Sequence, residues 1–139
     1  MVSLPITSTI AAALAILMFV LALLVSLRRV SLGKEQGDIA KYPIDDGNDE
    51  QLKRRIGAFS NLIEYAPMCL IMLALLETGE ASSILIWSLG VSFAAGRVLH
   101  AIGMLTNPHF PLPRIIGMFA TYAVLLVPVG WLVLNFGQG

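Results

Sequence analysis

The sequence predicts an all-α integral membrane protein: a single domain over residues 1–139, built as a four-transmembrane-helix bundle. Three observations carry this. Hydrophobic residues make up 57% of the chain and charged ones only 13%, whereas a soluble domain is about half apolar and about a quarter charged. The mean hydropathy is +0.81. The apolar residues are also gathered into four runs, at about 6–27, 56–78, 84–105 and 114–136, each near the ~20 residues that a helix needs to cross a bilayer core.

Formal net charge is zero, so bulk electrostatics favour no nucleic-acid partner, and what matters is where the charges sit. The single cysteine, Cys69, excludes an internal disulfide and fits no zinc or redox pattern, so no metal site is expected. It reads as apolar filler within a helix.

The first run lacks the basic leader of a cleaved signal peptide; its basic residues, Arg28 and Arg29, follow it, which predicts a retained span. Arg28 suits an interfacial anchor, while Arg29 suits an anchor or a polar site equally. The connector, about 28–55, is expected on the cytoplasmic side. From Ser31 to Gly47 it is polar and glycine-containing, with Pro43 and an Asp45-Asp46-Gly47 cluster, so no long helix is expected to cross it. Asn48 then suits an N-cap with Gln51 at N3, which puts Asp49 and Glu50 at the positive end of the helix dipole.

A helix from there to about Thr78 is roughly 45 Å long and must project beyond the bilayer core. Its projecting turns carry Lys53, Arg54 and Arg55, and Arg54 lies two turns before Asn61. Asn61, Glu64 and Tyr65, at i, i+3 and i+4, predict one polar face inside an apolar span. Such a face is a functional-site hypothesis, because an unpaired carboxylate in hydrocarbon is costly. Pro67 follows one turn on, tolerable where neighbours re-satisfy the freed carbonyl. Gly79 predicts the helix stop, and Ser82 or Ser83 the next N-cap.

In the third span Ser88, Ser92 and Gly96 recur at i+4, a small-residue stripe that lets another helix approach closely. It runs on to His100, so Arg97 and His100 are expected on a protein-covered surface near the end of the span. Residues 107–113 form a proline-rich turn, with Pro113 suited to N1 of the last helix. Arg114 stands in that first turn, where the dipole disfavours a cation, so a lipid phosphate or an anionic ligand must offset it. Met118 and Tyr122 follow on its face, and Trp131 suits an interfacial aromatic belt.

All nine lysines and arginines lie in the first connector and its flanks, near the end of the third span, or at the start of the fourth. With four spans they share one side, which the positive-inside rule assigns to the cytoplasm, leaving both termini outside. The surplus of cations there predicts an anionic guest, and an arginine beside a bound thiol would stabilise its thiolate.

The stretch Arg54-Arg55-Ile56-Gly57-Ala58-Phe59-Ser60-Asn61-Leu62-Ile63-Glu64-Tyr65-Ala66-Pro67, with Leu75-Leu76-Glu77 beyond it, resembles the signature of the MAPEG family, the membrane-associated proteins in eicosanoid and glutathione metabolism. Gly96-Arg97-Val98-Leu99-His100-Ala101-Ile102-Gly103 resembles the third-helix motif of that family, in its bacterial-type members. The resemblance implies a homotrimer in a bacterial inner membrane, with glutathione as co-substrate bound between neighbouring subunits near the cytoplasmic face. Position by position it implies glutathione contacts at Arg29, Asn61, Glu64, Tyr65, Arg97 and His100, and a thiol-activating role for Arg114. The basic turn at Arg54 is expected to help hold the carboxylates. Three positions depart from the family pattern: Gly57 stands where many members have an arginine, Met104 where several have a site tyrosine, and Ile115 where one branch has a polar residue.

The readings that follow are a glutathione-dependent transferase or peroxidase acting on lipophilic electrophiles, and a non-catalytic relative that binds a lipid or another anion in the same cleft. A pore is disfavoured, since no span is interrupted by paired glycine breaks.

Overall fold

A computed structural model describes residues 3–35, 37, 48–106 and 111–137. They form four helices: α1 (Pro5–Glu35), α2 (Glu50–Thr78), α3 (Ser83–Leu105) and α4 (Leu112–Phe136). Each is long and apolar enough to cross a membrane. In the most apolar stretches of α1, α2 and α4 only 22% of residues are buried, against 44% in α3. The apolar surface therefore faces outward, as a lipid solvent requires, and α3 is the most enclosed element. α2 and α3 form the central pair; α1 packs on both and so does α4, while α1 and α4 make no contact with each other among the described residues. Phe93, Leu73, Leu76, Leu21 and Val124 fill the middle.

α1 departs from expectation by running past Arg29 to Glu35. Tertiary contacts hold its extra turns. Leu32 is buried, Ser31 Oγ donates to Glu35 at 2.9 Å, and Arg28 pairs with Glu35 at 3.0 Å. Arg28 is thus no simple interfacial anchor: it also grips Asp49 at the start of α2, with Nη2 at 2.7 Å from Oδ2 and Nε at 3.2 Å from Oδ1. The Pro43 and Asp45-Asp46-Gly47 signals, Lys41, and residues 107–110 of the second turn lie outside the described residues.

The cap of α2 falls one residue later than expected. Asp49, not Asn48, accepts the Leu52 N–H, at 2.6 Å, while Asn48 adopts φ 58°, a left-handed conformation that asparagine tolerates. α2 continues through Pro67 to the C-cap Gly79. A Cβ at Gly79 would lie 2.8 Å from the Trp131 ring, so Trp131 leans half-buried on this turn. Ser82 caps α3 by accepting from Leu85 N at 3.3 Å. Pro111 occupies the cap of α4 and Pro113 the second position of its first turn.

The serine stripe on α3 is only half buried: Gly96 and His100 are enclosed, but Ser88 and Ser92 are exposed. Each step of four residues overshoots one turn by about 40°, so the row drifts off the buried face. That face is the Ile86–Leu89–Phe93–Gly96–His100 row.

Candidate functional site

The glycines of α3 and α4 set the geometry. A Cβ at Gly96 would lie 2.7 Å from Ala120 Cβ, and one at Gly117 would meet Gly96 O and lie 2.7 Å from His100 Cβ. With neither present, the two backbones touch, and Met118 is brought to Arg97. Arg97 is 2% exposed and reaches from α3 to two other helices, α2 and α4. Its Nη1 donates to the Asn61 carbonyl at 3.4 Å and its Nη2 to Met118 Sδ at 3.8 Å. Its Cζ stands 5.8 Å from the centroid of the Tyr65 ring. These contacts are long, and a buried guanidinium carries a desolvation cost of several kcal/mol. A desolvated cation–π contact offsets about 2 kcal/mol of that.

Beside this centre lies a groove of about 380 Å³ lined by His100, Pro111, Arg114, Ile115, Met118, Phe119 and Tyr122. His100 is 5% exposed and forms the inner wall. Arg114 is exposed at the mouth, its stem crossing α3 at Gly103, where a Cβ would lie 2.8 Å from Arg114 Cγ. Met118 and Tyr122 share the face of Arg114, as their spacing predicts. Among the described residues no carboxylate lies within ion-pair distance of Arg97, His100 or Arg114. One end of α3 and α4 therefore presents three nitrogen-bearing side chains with no internal counter-charge.

The α2 residues divide. Asn61 meets Arg97 through its backbone carbonyl and Tyr65 through its ring, and Asn61 Oδ1 is buried with no hydrogen-bond partner. Glu64 is exposed and makes no ion pair among the described residues. The three share one arc of about 100°, with Tyr65 at its inner edge and Glu64 at its outer one. Arg54 makes an i,i+4 pair with Glu50 at 3.9 Å, and no hydrogen bond joins it to the Arg97 centre among the described residues. Arg29 is half-buried near the end of α1.

Two family departures prove to be one contact. A Cβ at Gly57 would lie 2.8 Å from Met104 Cε, so the methionine methyl rests in the space above the glycine. Ile115 lines the groove beside Arg114.

Some working residues carried no signal of their own. Arg55, not Arg54, braces α1: its Nη1 donates to the Leu24 carbonyl at 2.6 Å, and it lines a 210 Å³ recess with Leu24, Gln51 and Leu105. Two adjacent arginines leave open which one turns inward. Glu77 accepts the Ile6 and Thr7 N–H groups at 2.9 and 2.8 Å, closing the N-terminus of α1 from another helix. The Leu75-Leu76-Glu77 run marked the end of a motif, but nothing marked that partner.

Outside the helices, Arg28 holds the Asp49 carboxyl below the usual carboxylate range through their hydrogen bonds, and the Leu52 N–H adds to this.

Comparison with curated proteins and with solved structures gave no match. A family model, the MAPEG family, matches residues 7–134, which includes α2, α3, the groove and every candidate site residue. Four membrane-length helices in the order of the two motifs, together with a match over nearly the whole chain, establish that this integral membrane protein belongs to the MAPEG family.

Proposed function

We propose that the protein is a membrane-embedded glutathione-dependent transferase or peroxidase for lipophilic electrophiles. The observation that carries this is the group of Arg97, His100 and Arg114 at one end of the bundle without a carboxylate partner among the described residues. A buried cation such as Arg97 calls for an anion, and a tripeptide thiol with two carboxylates supplies one. In this reading Arg114 stabilises the thiolate. Arg97 and Arg29, with Arg54, hold the carboxylates, and Asn61, Glu64, Tyr65 and His100 orient the tripeptide. The orphaned Asn61 Oδ1 fits a donor from the guest.

The chemistry asks little more of the protein than charge placement. The thiol proton leaves to solvent and the thiolate attacks the electrophilic carbon. A C–S bond forms, and with an aryl chloride the C–Cl bond breaks and chloride departs with its electron pair. Arg114 at the groove mouth is suited to lowering the cost of the first step, and an electrophile dissolved in the bilayer approaches along Ile115, Phe119 and Tyr122.

Glu64 stands among the exposed apolar residues Ile63, Met68 and Ile71. An ionisable group on such a strip belongs against protein and not lipid, which supports a homotrimer with sites shared between protomers. The gathering of basic residues at the connector end supports cytoplasmic connectors, external termini and a bacterial inner membrane.

The second reading, a non-catalytic member that binds a lipid or another anion, is favoured by the Gly57–Met104 contact, which puts a methyl in the middle of the polar run of α2. Conjugation of glutathione to a chlorinated nitrobenzene by purified protein separates the two. Under the first reading turnover is measurable, and Arg114→Ala lowers kcat about 10²-fold, as loss of one charge-stabilising donor does elsewhere. Absence of turnover in both proteins supports the second, and equal turnover removes Arg114 from the chemistry.

A further inference from the structure

We propose that Gly103 is a positioning residue for Arg114: its missing side chain is the channel through which the arginine stem crosses α3 to the groove. This rests on the role given to Arg114 above. Three glycines line the α3–α4 seam, and two of them serve backbone packing. Gly96 faces Ala120 and Gly117, and Gly117 faces Gly96 and His100. Gly103 is different in kind, because what occupies the space a side chain would take is Arg114 itself. A Cβ there would lie 2.8 Å from Arg114 Cγ, 3.2 Å from Arg114 N and 3.2 Å from Pro113 Cβ.

The Cγ belongs to a flexible chain and can swing aside, but the Arg114 nitrogen and the proline ring belong to the first turn of α4 and cannot do so freely. Even one added methyl therefore turns the arginine stem out of the seam. Gly103 lies seven residues beyond Gly96 and three beyond His100, so all three share the face turned to α4. The imidazole wall and the arginine channel are consequently neighbours on one helix, and the guanidinium leaves the seam beside His100 at the groove. Removing the channel moves the positive charge while leaving its residue type intact.

The test is a double-mutant cycle of Gly103→Ala and Arg114→Ala, with Gly96→Ala as the seam control. In glutathione conjugation, Gly103→Ala is expected to lower kcat about a hundredfold, the cost of roughly 1 Å of misplacement. It should also shift the ionisation of the bound thiol, followed by thiolate absorbance against pH, toward higher pH. Added to Arg114→Ala it should do nothing more, whereas Gly96→Ala, whose methyl meets Ala120, should combine additively with Arg114→Ala. Where glutathione turns over, additive losses for Gly103→Ala, or a thiolate profile unmoved by it, overturn the proposal.

The same cycle read by thermal unfolding without glutathione keeps the two readings apart. Gly103→Ala should lower the midpoint more when Arg114 is present than in the Arg114→Ala background, because the nearest obstructing atom is then gone. No coupling there overturns the positioning role even if glutathione turns over. Coupling without turnover upholds it and removes the glutathione reading alone.

Discussion

Asp49 shows how much one side chain does at the mouth of this bundle. Its Oδ1 caps α2 through Leu52 N, and both its oxygens hold Arg28. Asp49→Ala is expected to destabilise the protein by about 1–2 kcal/mol, the range for losing an N-cap. Asp49→Asn, which keeps the cap and loses only a partly exposed ion pair, should cost ~1 kcal/mol or less; denaturant unfolding of both variants in detergent checks the order. Because the native carboxyl is held below its ordinary value, its contribution is complete above about pH 4 and is lost as pH falls through the lower native value. An acid titration of wild type against Asp49→Asn should therefore converge at low pH. The sequence made the cap region legible but chose Asn48, because capping preference is nearly equal for asparagine and aspartate and only the tertiary partner Arg28 breaks the tie. The different exposure of Glu64 and Tyr65 was hidden for a related reason: spacing tells which residues are near one another on a helix, but the packing of Arg97 decides which of them turns inward.

The helices were legible as elements because hydropathy, the stop at Gly79 and the start at Pro113 act locally. Their lengths and contacts were less so. α1 extends to Glu35 through Leu32 burial and the Arg28 clasp, neither of which is visible in a polar, glycine-containing stretch. The union of α1 with the far end of α2 by Glu77 was equally hidden. Glu77→Ala should leave the Ile6 and Thr7 N–H groups unpaired, at about 1–3 kcal/mol, and hydrogen exchange should quicken at these two amides first. The seam between α3 and α4 was half legible: Gly96 and His100 were placed on a stripe open to some other helix, but nothing named α4 as that helix, and Gly117 carried no periodic signal. Gly117→Ala forces a methyl against Gly96 O and His100 and should destabilise by about 1–3 kcal/mol, as overpacking does. Its thermal midpoint should fall further than that of Gly130→Ala, where a Cβ meets nothing within 4 Å.

Across the whole molecule, charge and lipid-facing surface are separated. The arginines gather where α1 passes to α2 and where α3 passes to α4, the outer faces of all four helices are apolar, and Glu64 interrupts the apolar strip of α2. Native mass spectrometry from mild detergent should show a trimer, and Glu64→Leu should retain it if the carboxylate serves the guest and not the assembly. The family and the fold were both readable from motifs and composition. The site was readable only as a list of residue types, since its present form depends on three glycines, on the Met104 methyl over Gly57, and on Met118 over Arg97. In the proposed function an anionic thiol neutralises this cationic centre. Calorimetric titration of glutathione into the protein in lipid nanodiscs tests that most directly. Saturable heat that is lost in Arg97→Ala is the expected result, and no heat above dilution with the wild-type protein would contradict it.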